Sequence, residues 1–171
     1  MGRRDALIVQ HIPRLRRYAR ALLRDPDRAE DLVQETLARA LDRFHFWHRG
    51  SDLRAWLFTL MHNQFVNDCR REGRRPVTFS LDGGPDPAAE ADAASGAGLR
   101  DIGAALMRLP VEQRAVLLLV SLEGLSYRET ARVLGIPPGT VMSRLHRARE
   151  RLRHWLGETR DDGVQRLRSV K

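Results

Sequence analysis

Residues 126–152 read SYRETARVLGIPPGTVMSRLHRARERL, and this stretch decides the fold. Ser126 followed three residues later by Glu129 is the reciprocal capping signature of a helix start. The short helix it opens ends at Gly135, and Ile136-Pro137-Pro138-Gly139 makes a turn. Thr140 is positioned to cap a longer helix in which Val141, Leu145, Ala148 and Leu152 fall within one narrow sector of the helical wheel. A capped short helix, a glycine-containing turn and a longer basic helix make a helix-turn-helix. On the opposite face lie Ser143, His146 and Arg147, with Met142 at the edge, in the turns that meet base edges in a major groove. Arg147 suits bidentate pairing with guanine, Ser143 can donate or accept, and Met142 suits a thymine methyl. Arg144, Arg149, Arg151 and Arg153 flank that face, where phosphate contacts give affinity without sequence information. The competing reading, a solvated arginine-rich helix face, leaves the capping box and turn unexplained.

Upstream of this motif the pattern is also helical. Leu99, Ile102, Leu106 and Leu109 precede Pro110, and an apolar helix follows from about Glu112 to Leu122. Near the beginning of the chain, Ile12, Leu15, Ala19, Leu22 and Leu23 keep helical spacing until Asp25-Pro26-Asp27 breaks it. From Ala29, the set Leu32, Val33, Thr36, Leu37, Ala40, Leu41 and Phe44 repeats at three and four for more than four turns. A further helix runs from about Leu53 through Trp56, Leu57, Leu60, Met61 and Phe65 to Cys69. No run alternates with period two, so the expected class is all-α.

The charge is unevenly placed. The 171 residues carry 30 Lys+Arg against 22 Asp+Glu, a net +8, and Lys171 is the only lysine. Residues 1–80 hold 16 arginines and 10 acids, residues 81–99 hold four acids and no base, and residues 100–157 hold 10 arginines and five acids. Two basic domains, 1–80 and 99–157, therefore flank residues 81–98, whose LDGGPDPAAEADAASGAG composition reads as a flexible acidic linker. Residues 158–171 read as a basic, disordered tail. An arginine surplus favours planar contacts to phosphate, so a polyanionic partner is the first expectation.

A second constellation lies in the first domain. Asn63, Asn67, Arg70 and Arg74 share a narrow sector of one helix. Asparagine amides can read unstacked bases while arginines follow a backbone. Phe46 and Trp47, next to Arg49, lie in a polar segment where base stacking and packing are equally good readings; Phe44 and Trp56 sit on apolar faces and read as core. On the helix from Ala29 the outward face carries Asp31, Gln34, Glu35 and Asp42, either a solvated face or a dock for a basic partner.

Much is excluded. One cysteine rules out an internal disulfide framework, and no His/Cys spacing suits a metal, so no cofactor is expected. The longest apolar run, Ala115 to Val120, is too short to cross a bilayer, and a soluble, cytoplasmic chain without membrane insertion is expected. No glycine-rich phosphate loop, nucleophile signature or carboxylate pair suggests an enzyme.

AEDLVQETLARAL (residues 29–41), SDLRAWLFTLMHN (51–63) and LPVEQRAVLLLVSLEGLSYRETARVLGIPPGTVMSRLHRARERLR (109–153) together resemble the extracytoplasmic-function, or group IV, sigma factors of the sigma-70 family. The resemblance spans about residues 5–157 and lacks counterparts of regions 1.1 and 3. It implies that residues 1–80 are region 2 and residues 99–157 are region 4. It implies that Asp31, Leu32, Gln34 and Glu35 dock on the β′ clamp helices of core RNA polymerase. Phe46, Trp47, Arg49, Asn63, Asn67, Arg70 and Arg74 would then melt and read a -10 element, with one base flipped into a pocket at Asn63. Thr140, Met142, Ser143, Arg144, His146, Arg147, Arg149 and Arg151 would read a -35 element, in a domain that also contacts the β flap. Met142 departs from the basic residue of many relatives. The linker is similar to one that threads an RNA exit path, and an anti-sigma factor is the further partner implied. The alternatives are a stand-alone helix-turn-helix regulator and a sigma mimic that sequesters an anti-sigma factor.

Overall fold

The computed structural model describes residues 2–48, 50–72 and 99–168, with the side chains of Arg3, residues 99–101 and those beyond Gly157 left aside. Helices account for the regular structure among them and there is no β-strand, as the all-α reading expects. Arg49, Arg74 and the linker, residues 81–98, lie outside the described residues.

Among the described residues the first lobe contains the α-helices α1 (Arg3–Val9), α2 (Ile12–Leu22), α3 (Pro26–Arg43) and α4 (Leu53–Arg71). The periodicity starting at Ile12 gave no sign of α1. It is a two-turn helix whose first N–H group, on Gly2, donates to Asp5 at 2.9 Å. Asp25-Pro26 starts a helix as well as ending the one before. The Asp25 carboxylate accepts from the Asp27 and Arg28 amides at 2.9 and 3.2 Å, and Pro26 occupies the first helical position, where no N–H is needed. Asp52 caps α4 in the same way through the Arg54 and Ala55 amides. Leu15, Tyr18 and Leu22 of α2 share one buried apolar cluster with Val33 of α3 and Leu57 of α4, and Tyr18 meets Phe58 edge-on with ring centroids 5.1 Å apart.

The second lobe comprises α5 (Leu99–Arg108), α6 (Val111–Leu117), α7 (Tyr127–Leu134) and α8 (Pro138–Arg168). One wider, π-type turn, Leu118–Leu122, extends α6. Gly124, at φ 68°, then reverses the chain. The Ser126/Glu129 capping box forms as the sequence indicates. Gly135 ends α7 at φ 65°, a left-handed conformation a side chain would strain.

Two expectations change. The cap of α8 is not Thr140: the helix begins three residues earlier, so the Pro137 carbonyl accepts from the Thr140 and Val141 amides and Pro138 is the first helical residue. The helix also continues to Arg168, through the segment read as a disordered tail, because Gly157 and Gly163 are isolated and no proline interrupts it.

The lobes are not apart. Buried residues from Ile8 to Ala148 form one continuous apolar cluster, with α4 against α7 and α2 against the end of α6. α4 is therefore sandwiched between α3 and α7, which is why it buries Leu57, Phe58, Leu60, Met61, His62, Gln64 and Phe65 almost all the way around.

Candidate nucleic-acid and protein-docking interfaces

The inner face of α8 is apolar as its spacing requires: Val141 and Ala148 are 0% exposed and Leu145 is 2% exposed. Holding that face down turns Met142, Ser143, His146 and Arg147 into solvent within two turns of the helix start, with Arg149 and Arg151 following. Met142, half exposed, is an apolar side chain kept in water at the position suited to a base methyl. Thr140 is half-buried, and its carbonyl accepts from the Ser143 hydroxyl at 3.1 Å. Arg153 is exposed and pairs with Glu150 on the same helix. A cation–π contact of Arg108 over the Trp155 ring, 4.4 Å to the centroid, ties α5 to α8.

Arg144 departs from its expected place. It is buried rather than turned to solvent. Burial of the His62 imidazole on α4, with the Arg144 charge adding to it, brings the His62 pKa down from the usual 6.5 to about 4. Burial also makes the Arg144 guanidinium less basic.

Sequence reading missed the outward face of α7. Tyr127, Arg128 and Arg132 are exposed there. The first helix of a helix-turn-helix crosses the sugar-phosphate backbone, where such side chains position the duplex. The signal was the Arg128/Arg132 pair, four residues apart and opposite the apolar face.

In the first lobe, Asn63 and Arg70 are exposed and Asn67 is half-buried along one side of α4. Phe46 projects from the turn Phe44–Phe46 with 65% of its surface exposed, its ring 4.0 Å from that of His45. Trp47 is half-buried, 5.4 Å from the Phe44 ring, and Phe44 in turn meets Trp56. The ambiguity at Phe46-Trp47 thus divides: Phe46 offers a free stacking face, and Trp47 braces the loop against the core.

The acidic face of α3 is present, with Asp31, Gln34 and Glu35 exposed. Leu32 is not on it. At 3% exposure it belongs to the core, one residue and about 100° from Asp31 on the helix. It forms, with Leu23 and Phe65, the apolar floor of a groove of ≈ 250 Å³ rimmed by Asp31, Glu35, Asp68 and Glu72 together with Arg28 and Arg71, Arg28 being paired with Glu72. The Gln64 side-chain amide, fully buried on α4, donates to both Glu35 and Asp68 and so holds the two carboxylates near each other. Farther along, Arg16 of α2 grips Glu30 through Nε and Nη2 and keeps that carboxyl below its ordinary pKa, with Gln34 adding a hydrogen bond. No group of His, Cys, Asp and Glu among the described residues is arranged to hold a metal. None of the described helices is long and apolar enough to cross a membrane.

Residues 8–62 match the family model described as the Sigma2 domain of PhyR, and residues 99–152 match Sigma-70, region 4. The chain is 41% identical over 147 residues to the ECF RNA polymerase sigma factor EcfG of Rhodopseudomonas palustris (strain TIE-1), covering 85% of this chain and 80% of that protein. It is 38% identical over 156 residues to the ECF RNA polymerase sigma factor SigL of Mycobacterium tuberculosis, covering 90% and 88%. Among solved structures, the sigma factor RpoE in complex with the anti-sigma factor NepR from Bartonella quintana superposes with a TM-score of 0.73 at 36% identity, covering 90% of this chain and 96% of that one.

Proposed function

The chain belongs to the extracytoplasmic-function RNA polymerase sigma factors, and from that premise we propose which of its surfaces does what. It acts in promoter-directed transcription initiation. In our reading it performs no covalent step of its own and supplies instead two DNA-reading lobes and a docking face to core RNA polymerase, in the cytoplasm.

The second lobe reads the -35 element through α8. Arg147, Ser143 and Met142 face base edges, while Arg149, Arg151 and the α7 arginines Arg128 and Arg132 hold phosphates. The first lobe melts and reads the -10 element: Asn63 and Asn67 contact unpaired bases, Phe46 stacks on one, and Arg70 follows the strand, with Arg49 and Arg74 assigned the same task from sequence. Unstacking a base costs a few kcal/mol, and an exposed aromatic ring beside amide donors offsets that cost. Asp31, Gln34 and Glu35 with the groove behind them form the polymerase dock, and Leu32 supports that dock from beneath. An anti-sigma factor is the regulatory partner, as RpoE's complex with NepR exemplifies for a relative.

The observation that carries this reading is the division of α8 into a sealed apolar face and an open polar one. The match of the first lobe to the Sigma2 domain of PhyR gives a sigma mimic one supporting observation. An exposed set of base-reading and phosphate-holding side chains on α7 and α8 is what a mimic would have no use for.

Run-off transcription with core polymerase separates the two: a sigma factor yields promoter-specific transcript, and a mimic yields none. Gel shifts with and without polymerase address the stand-alone regulator, which alone would bind tightly and specifically. Within an active holoenzyme, Arg147→Ala is expected to relax specificity at one -35 position at a cost of about 1–3 kcal/mol. Arg151→Ala should weaken binding across sequences and lower the salt slope by about one. Equal losses on all sequences from both variants would refute the division into readers and positioners.

A further inference from the structure

Gln64 stands on the side of α4 that meets α3, and its relative exposure is 0%. Its side-chain Nε2 donates in two directions, to Glu35 Oε2 on α3 and, at 2.8 Å, to Asp68 Oδ1 one turn farther along α4. A terminal amide nitrogen carries two hydrogens, so one group serves both carboxylates at once. Turned over, the amide would aim its oxygen at two anions, so the donor orientation is the one electrostatics permits. Oε1, on the other side of the amide, is buried with no hydrogen-bond partner among the described residues. A methionine would fill nearly the same volume without that cost. What the amide does for the two acids therefore accounts for a polar side chain at this buried position.

The two acids border the groove between α3 and α4, over the floor of Leu23, Leu32 and Phe65. Carboxylates brought to one spot repel, and they relieve the repulsion by swinging apart, taking up a proton or pairing with a cation. A lysine or arginine in place of Gln64 would hold them together and cancel their charge in doing so. Arg28, at the same rim, is bonded instead to Glu72 at 2.6 Å. A neutral double donor gathers the pair and leaves both charges available to a cation from outside. Because Gln64 is sealed in, water does not compete for its hydrogens. Carboxylates set in advance also lose less side-chain freedom when a partner binds. The apolar floor beside them suits the aliphatic stem of a long basic side chain.

We propose that Gln64 is a positioning residue of the acidic dock, its amide gathering Glu35 and Asp68 into a preformed anionic pair for a basic side chain of the partner. The inference rests on the reading of this face as the dock for core RNA polymerase. It adds to that dock Asp68 and a buried residue that the partner never touches.

The test measures binding of the full chain, carrying a fluorescent label, to core RNA polymerase. Gln64→Met, which keeps the volume and removes the donors, should weaken binding about tenfold at low salt. The deficit should shrink as added salt screens the carboxylates. Helical circular dichroism and the melting midpoint should stay at the values of the unmodified chain. Gln64→Glu, of the same size but with a third charge in place of the donors, should weaken binding at least as much. In a chain already carrying Glu35→Gln and Asp68→Asn, Gln64→Met should bring no further loss, because the pair it positions is gone. An undiminished loss in that background, or a lowered melting midpoint in both Gln64 variants, would make Gln64 a packing residue and overturn the proposal. Full-strength binding by both Gln64 variants, with Glu35→Gln binding weakly, would overturn it too and leave the dock standing. Full-strength binding by Glu35→Gln and Asp68→Asn as well would sink the dock reading itself.

Discussion

The helices to which we assign DNA reading in the two lobes, α4 and α8, are built on opposite plans. On α8 a narrow stripe of Val141, Leu145 and Ala148 is buried and nearly everything else is open. On α4 burial runs almost around the helix and takes in His62 and Gln64 along with the apolar residues. The difference lies in how many neighbours each helix serves. Over its first turns α8 rests chiefly on its own lobe, so its outer face is free for a groove of DNA. Wedged between α3 and α7, α4 leaves only a strip containing Asn63 and Arg70 to a ligand. Similar surpluses of arginine therefore conceal a helix with one open polar face in one lobe and a nearly enclosed axle with a single exposed edge in the other.

The largest effect expected tests whether the lobes share one core. Leu57 in α4 and Leu145 in α8 are both essentially unexposed. Leu57→Ala and Leu145→Ala should each cost about 3–4 kcal/mol and lower the temperature of one cooperative calorimetric transition. Two transitions, each sensitive to only one substitution, would restore the picture of independent domains.

Next in size is the effect of acid on the polar interior of α4. Buried His62 stays neutral down to a pKa of about 4, against the usual 6.5. Above pH 6.5 neither the folded nor the unfolded chain binds this proton. As the pH falls from 6.5 to 4 the unfolded chain takes it up and the folded one does not, so stability declines across that window and levels off below it. At about 1.4 kcal/mol for each tenfold in proton affinity the full loss is about 3 kcal/mol. Urea denaturation at several pH values should show this slope, and His62→Gln should flatten it. An equal slope in the variant would assign the acid sensitivity to other groups.

The smallest effect concerns the caps of the helix-turn-helix. Ser126 accepts from the Glu129 amide while Glu129 accepts from the Ser126 amide, and the two serine contacts hold the Glu129 carboxyl below its usual pKa. Ser126→Ala should cost about 1 kcal/mol. Thr140, whose hydroxyl caps nothing in the structure, should lose only a few tenths as alanine. Matching losses from the two in chemical denaturation would return the cap of α8 to Thr140.

Much of the second lobe could be read from the chain because its signals are local. The serine-glutamate pair, Gly135 and the prolines of the turn act within a few residues of where they stand, and the apolar stripe of α8 needs only a helical period to place its polar face. In the first lobe the acidic face of α3 and the edge of α4 followed from the same arithmetic. Leu32 was assigned to both the apolar stripe and the docking face, and only burial decides between them. Phe46 and Trp47 were equivalent in composition, and the packing of Trp47 against Phe44 separates them. Local pattern gave α1 no visible boundary, since seven residues offer too few turns for a period to emerge.

By itself the sequence determined the all-helical class, both ends of the first helix of the helix-turn-helix and the family, each carried by spacing within single helices or by motif identity. Tertiary structure alone decided that Arg144 is buried, that Arg17 and Arg54 converge on Glu123, and that two basic lobes meet despite their like charge. Those outcomes join residues up to 106 positions apart. Burial and ion pairing depend on what lies across a contact, and no periodicity along one helix carries information about the helix opposite.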